Sequence, residues 1–375
     1  MELLPQRMTA PFRAETVGSF LKPQALIDAQ NQFKEGKISA QEYNQAVDDA
    51  VEELVKHQYS VGLDEATAGG YRRGYWHLDF FWELNGIEKS TLNRPYMFDG
   101  TNVHSDSARL CGKLSFNPDH STFRNFNFLK SVTPVGMTPR QAIPSPVQLY
   151  AELTRGDNEH VIRNFYQTDA ELFDDIADVY RKTILKLYDL GCRSLMMDDC
   201  VWGMFCDHKL MDIVVKRGFD IEDYKERLLK LTIESVAGMP DDMVIATRIY
   251  RGYVHSSWDY EDGYEPIAEK FFGETPFTAF YLRFPLDCPE KFKALRYVPE
   301  DKIVVLGLIS PRNPKLEDKE VVKAAIKEAS KYIPLERLCL STECGFSSPA
   351  EQGQLTEDQQ WAKIALVQEI AAEVW

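Results

Sequence analysis

The chain has 375 residues, 44% of them hydrophobic and 27% charged, the balance of a globular enzyme and not of a disordered or fibrous chain. Its net charge of −15, with Lys and Arg scattered instead of gathered in runs, opposes binding to a phosphate backbone, so nucleic acid is not an expected partner. Met1 to Pro11 has no apolar core of signal-peptide length and no stretch approaches the roughly 18 apolar residues a membrane helix needs, so a cytoplasmic protein that does not meet a membrane is expected.

Taken in chain order, short β-branched runs end in polar or glycine-bearing tips and are mostly followed by segments of helical periodicity. Strands with their tips are expected at Phe12–Phe20, Val61–Thr67, Arg140–Pro146, Cys192–Asp199, Met243–Tyr250, Thr278–Phe284, Ile303–Ser310 and Leu338–Phe346. Helices are expected at Lys22–Gly36, Ser39–Val61, Ser145–Leu153 leading to Asp169–Leu190, Asp220–Gly238, Tyr264–Gly273, Pro289–Val298, Asp318–Ile333 and Thr356–Trp375. Asp220 and Thr356 are candidate N-caps, each followed by acidic residues that favour the positive end of the helix dipole. This rhythm predicts an α/β fold, a (β/α)8 barrel of TIM type, and the length allows residues 1–375 to form it as one domain. Residues 71–137 read as an irregular, aromatic-rich insertion containing Tyr75, Trp76, Phe80, Phe81, Trp82 and Phe98. Such an excursion is either a lid over the barrel mouth or simply packed onto the barrel, and the second is the commoner fate.

In a parallel barrel the reactive groups come from the C-terminal ends of the strands. The tips to inspect together are Gly18–Ser19, Thr67–Gly70, Ser145, Asp198–Asp199, Arg248 to Arg251, Arg283, Ser310–Arg312 and Glu343–Cys344–Gly345. Asp198 and Asp199 end an apolar strand, where a carboxylate needs a partner. One of them should point inward, to hold a substrate amine, to serve as a base, or to pair with Arg248 or Arg283. Two guanidiniums in one mouth suit a carboxylate or phosphate through forked hydrogen bonds, or they neutralise the Asp pair. The seven cysteines show no close pairing, so reduced thiols are expected. Cys344 is a thiolate ligand, a nucleophile or an ordinary loop thiol. Cys200, Cys206 and His208 form only a weak metal candidate, because their spacing is not a recognised zinc pattern.

Read as a set, these tips resemble the cobalamin-independent methionine synthase family, and most of all its short, single-barrel bacterial branch, which matches the catalytic C-terminal half of the full-length enzymes. The resemblance runs through Pro11-Phe-Arg-Ala-Glu-Thr-Val-Gly-Ser-Phe20, Ile143-Pro-Ser-Pro146, Gly191-Cys-Arg-Ser-Leu-Met-Met-Asp-Asp199, Arg251-Gly252, Val305-Leu-Gly-Leu308, Leu340-Ser-Thr-Glu-Cys-Gly-Phe-Ser-Ser348 and Gln360-Trp-Ala-Lys363.

The resemblance implies methyl transfer from a folate-type donor to the sulfur of homocysteine, with the thiolate held on zinc, because coordination removes the thiol proton and leaves a competent nucleophile. It implies a His-x-Cys pair at one strand tip, a Glu at the next and a Cys after the last strand. Here Arg248-Ile249-Tyr250 stands at the first position and Arg283 at the second, so Cys344 is the only inherited metal ligand. Arginine does not surrender a proton to a metal, so the family's zinc is not expected to bind in the family's manner. Thr67-Ala68-Gly69-Gly70 replaces the family's Thr-Asp-Gly-Glu, and Ile309 stands where the full-length enzymes have a His.

The expectation is therefore a methionine-synthase-like S-methyltransferase with a degenerate zinc site and a small-molecule substrate; a homo-oligomer is compatible with it. Asp198 and Cys344 are the expected catalytic groups, with Gly18, Ser19, Ser145, Asp199, Arg248 and Arg283 binding substrate. The alternatives are a metal-free barrel enzyme acting on an anionic substrate, for which the uroporphyrinogen decarboxylase branch is a physical analogue, and a non-catalytic small-molecule binder.

Overall fold

The computed structural model describes residues 6–98, 101–216, 218, 220–249, 263–286, 288–347 and 355–375. Ten strands are described: β1 (Ala14–Glu15), β2 (Glu65–Ala66), β3 (Asn85–Phe98), β4 (Thr101–Ser115), β5 (Thr138–Pro144), β6 (Ser194–Asp199), β7 (Val244–Ile249), β8 (Ala279–Arg283), β9 (Ile303–Ile309) and β10 (Leu338–Thr342). Eight of them form one parallel sheet in the order β1-β10-β9-β8-β7-β6-β5-β2. The sheet curls into the expected TIM-type barrel, nearly closed, with helices around it.

Alternation along the strands sorts the two layers of the core. Residues facing the barrel axis include Val17, Met196, Ala246, Tyr281, Val305 and Cys339, which pack on one another. Their neighbours in sequence, such as Leu195, Met197, Phe280, Leu282, Val304 and Leu340, join the larger core beneath the helices. A side chain at a strand's C-terminal end therefore reaches the mouth only if it shares the parity of Met196. Asp198 does; Asp199 does not.

The helices start where the sequence provides caps. Ser39 with Glu42, and Thr356 with Gln359, form capping boxes, and Asp220 accepts from the backbone of Glu222 and Asp223. The expected α-helix Pro289–Val298 is instead a 3-10 segment, Pro289–Tyr297. The region read as irregular is ordered: β3 and β4 pair as an antiparallel hairpin between the short helix Leu78–Phe81 and the helix Ser121–Val132. Buried polar bonds tie this hairpin to the barrel. Ser107 donates to Glu152 at 2.5 Å, and Asn158 donates to Ser107 Oγ at 2.8 Å and to the Ala108 carbonyl at 3.1 Å.

The barrel's seam lies between β1 and β2, the two ends of the sheet. One buried side chain spans it. Arg140, on β5, sends Nη1 to Glu15 Oε2 at 2.7 Å and to Glu65 Oε2 at 2.5 Å, and Nη2 to the Thr16 carbonyl at 2.5 Å. The Tyr281 hydroxyl accepts from the same Nη1 at 3.1 Å. A backbone bond from Phe20 N–H to the Gly69 carbonyl, 3.0 Å, closes the seam one layer higher. Two buried carboxylates on one guanidinium would carry net negative charge into the interior. Burial and the neighbouring Glu65 push the Glu15 carboxyl well above its usual range, against the pull of Arg140.

Removing the guanidinium leaves Glu15 and Glu65 facing one another, with the Phe12 N–H still donating to Glu15 Oε1 at 2.7 Å. Arg140→Met is expected to cost about 3–5 kcal/mol, read from urea unfolding at neutral pH. A loss below about 1 kcal/mol would mean that the seam is held by packing, not by this ion cluster.

Candidate functional site

A cavity of about 370 Å³ opens at the C-terminal ends of β1, β2, β5, β6 and β7, within the size range of small-molecule sites. Its floor includes Val17, Arg140, Ala142 and Met196. One wall is the tip of β2, from Thr67 to Arg73, and the opposite wall comes from the insertion, including Trp76, Phe80, Trp82 and Asn125. The aromatics divide their work: Phe81 and Phe80 are buried in the main core, while Trp76, Phe80 and Trp82 also face the cavity. The side chain of Phe98 lies outside the described residues.

Local bonds set each tip. Gln58, fully buried on the helix Ala40–Ser60, holds both the N–H and the carbonyl of Thr67, at 3.0 and 2.9 Å. The β1 tip rests on the segment after β10. Gly18 has φ +76°, and a Cβ there would lie 2.7 Å from Gly345 and 2.8 Å from Arg248 Nη1. A Cβ on Gly345 would in turn meet Ser19 N at 2.3 Å, and Phe346 N–H donates to the Ser19 carbonyl at 2.7 Å. Only glycines allow this crossing. The last helix braces the same tips: Gln360 accepts from Leu21 N–H at 2.7 Å, and Lys363, fully buried, binds Glu317 at 2.9 Å and the Lys315 carbonyl at 2.6 Å.

Asp198 points into the cavity, with Oδ1 2.9 Å from Arg248 Nη2 and Oδ2 3.9 Å from Arg73 Nη1. Asp198 and Arg248 are register partners on adjacent strands, so the pair is built by the sheet itself. Arg283 lies two residues beyond Tyr281, the register partner of Arg248. Its Nε is 3.2 Å from Glu343 Oε2, and it does not line the cavity. The structure therefore brings Arg73 to Asp198 beside Arg248, and places Arg283 in a separate pair. Burial raises the Glu343 carboxyl, opposed by Arg283 and by a hydrogen bond from Ser310.

Asp199 and Ser145 meet on the helix side of the sheet, away from the cavity. Ser145 Oγ donates to Asp199 at 2.6 Å, Trp202 N–H donates to Asp199 at 2.9 Å, and Ser145 caps the helix Pro146–Leu153. Cys344 is buried after β10 and outside the cavity lining. Cys200 is buried, and that burial, with Asp199 and Asp198 nearby, pushes its thiol well above the usual range. Among the described residues no group of three or more His, Cys, Asp or Glu is placed to hold a metal ion. Tyr250, Arg251 and Ser348 lie outside the described residues. Among the described residues no helix is long and apolar enough to cross a membrane.

Residues 12–96 match the family profile described as the catalytic domain of the cobalamin-independent synthase. The uncharacterized protein YxjG of Bacillus subtilis is 34% identical over 99% of this chain and 96% of its own length. The chain belongs to the cobalamin-independent methionine synthase family. A solved structure from Listeria monocytogenes, the "Putative Vitamin-B12 Independent Methionine Synthase", is 32% identical with a TM-score of 0.78, covering 98% of this chain and 99% of that one. A B12-independent methionine synthase from a Shewanella species, solved with selenomethionine, shares the fold with a TM-score of 0.71 at 17% identity, over 96% and 97% of the chains. Against this family background, sequence reasoning missed Arg73, Arg140 and Asn125. Arg73 carried a signal, since it follows the β2 tip; Arg140 stood at the start of an expected strand, where parity alone makes it a floor residue.

Asp199 yields a pH test. Burial raises its carboxyl from 3.8 to about 6, against hydrogen bonds from Ser145, Trp202 and Val201. A carboxyl raised in the folded state contributes stability below its unfolded value that is lost as pH rises through its folded value. Relative to Asp199→Asn, the wild type is expected to lose about 2 kcal/mol between pH 4 and 6. Parallel stability profiles for the two proteins would refute the assignment.

Proposed function

We propose that this chain is a small-molecule transferase of the methionine synthase family whose reaction centre is the Asp198–Arg248 pair, not a zinc ion. The observation that carries the reading is Arg248 itself. Its guanidinium ends β7 in the cavity, 2.9 Å from Asp198, at the position where the family resemblance implies a His ligand. A guanidinium has five donors and no lone pair to give a metal, and Arg283 brings a second one to the position of the family's Glu. Cys344 alone is not a zinc site. The residues present do not fit the metal.

Asp198, Arg248 and Arg73 together carry one net positive charge in a cavity of a protein whose overall charge is −15. That local excess suits an anion, either a carboxylate or a thiolate. A nearby fixed cation lowers a thiol's pKa without coordinating it, which offers a metal-free way to present sulfur as a nucleophile. Methyl transfer would then form the S–CH3 bond as the donor's bond to the methyl breaks, with the thiol proton balancing the charge left on the donor. The selenomethionine in the Shewanella protein supports a sulfur-type amino acid as acceptor, and Trp76, Phe80 and Trp82 line the cavity with aromatic surface for the ring of a folate-type donor. A metal-free enzyme acting on another anionic substrate rests on the same guanidinium pair, and turnover assays separate the two.

Protein purified without chelator or affinity tag is expected to hold far less than one zinc per chain by elemental analysis; stoichiometric zinc with homocysteine methylation would overturn the reading. Arg248→Ala is expected to weaken anionic ligands by roughly 10- to 100-fold, with a smaller effect from Arg283→Ala because that side chain is committed to Glu343 outside the cavity. Equal affinities in wild type and Arg248→Ala, measured by calorimetry, would remove Arg248 from the site.

A further inference from the structure

Arg73 is held at its backbone and open at its head. Its carbonyl accepts from Lys22 Nζ at 3.2 Å, and its guanidinium lies over Gly70, where an added Cβ would sit 3.2 Å from Nη2. The side chain is 27% exposed and lines the cavity. At 3.9 Å, Asp198 Oδ2 shares its charge with Arg73 but is beyond hydrogen-bond range. Arg248 meanwhile holds the other Asp198 oxygen at 2.9 Å. The forked donors of Arg73 are thus near a counter-charge without being saturated by it, the arrangement that suits an incoming oxyanion.

A second observation comes from the insertion. Asn125, on the helix Ser121–Val132, lines the same cavity, and its side-chain oxygen is buried with no hydrogen-bond partner. The Asn125 residue is half-buried at the cavity wall, and an enclosed amide oxygen without a partner there marks a place for a ligand donor.

We propose that Arg73 and Asn125 form a subsite for the polar head of the bound small molecule: a carboxylate or phosphate oxygen on the Arg73 fork, and an N–H or O–H of the same molecule on the Asn125 oxygen. The assignment rests on the reading that the cavity takes an anionic ligand, and it adds residues from the β2 tip and the insertion that no strand-tip comparison selects.

The test is calorimetry on the full chain with L-homocysteine, 4-sulfanylbutanoate, 3-aminopropane-1-thiol and inorganic phosphate, using Arg73→Gln, Arg73→Lys, Asn125→Leu and Arg248→Ala proteins whose unfolding midpoints match the wild type. Arg73→Gln is expected to weaken homocysteine and 4-sulfanylbutanoate by roughly 10- to 100-fold, to leave the carboxylate-free aminothiol unchanged, and to be partly rescued in Arg73→Lys. Asn125→Leu is expected to weaken homocysteine and spare 4-sulfanylbutanoate, which has no amine. Phosphate binding that depends on Arg73, with no carboxylate binding, would support the subsite and assign its oxyanion to a phosphoryl group. If Arg73→Gln changes nothing while Arg248→Ala abolishes binding, the subsite is wrong and the anionic cavity stands. If no anionic probe binds the wild type, both fall.

Discussion

Arg140 is the side chain on which the geometry of the mouth depends. β1 and β2 are two residues long and are the two ends of the sheet, so no ladder sets their distance. The guanidinium reaching from β5 to Glu65 and Glu15 sets it instead. Once β1 is placed, Gly18 and Ser19 can cross Gly345, and the Gly18 backbone lies against the Arg248 guanidinium. Once β2 is placed, its tip carries Arg73 over Asp198. A buried ion cluster is a poor source of stability compared with apolar packing; here it is an orienting device.

The same logic of forced pairing governs the site. Parity along β6 sends Asp198 inward and Asp199 outward, so two adjacent identical residues have unrelated duties: one faces two arginines in a cavity, the other ties Ser145 to the turn before Trp202. Arg248 and Arg283 each have an acidic neighbour, Asp198 and Glu343. Guanidinium–carboxylate pairs occupy this layer, with the glycine crossing, the Gln360 and Lys363 braces and the polar anchors of the insertion around them.

The barrel was legible in the sequence because each strand tip and each cap is a local signal. Asp220 and Thr356 cap the helices they were expected to cap, the β6 to β10 strands fall within the expected segments, and β5 begins at Thr138, ahead of its expected start at Arg140. The hairpin β3–β4 was not legible: its pairing is non-local, and its aromatic run reads equally as loop or core. The choice between Arg283 and Arg73 was not legible either. Both follow a strand tip, and only the three-dimensional placement of Glu343 diverts one of them.

What the sequence determined by itself was therefore the repeat of strand and helix and the family, since each depends on residue type and order along the chain. What only the tertiary structure decided was which charges meet. Arg140 with Glu15 and Glu65, Arg73 with Asp198, and Asn125 across the cavity join residues from separate strands, loops and the insertion. Distances across a barrel are set by strand stagger and side-chain direction, neither of which is written in the local sequence.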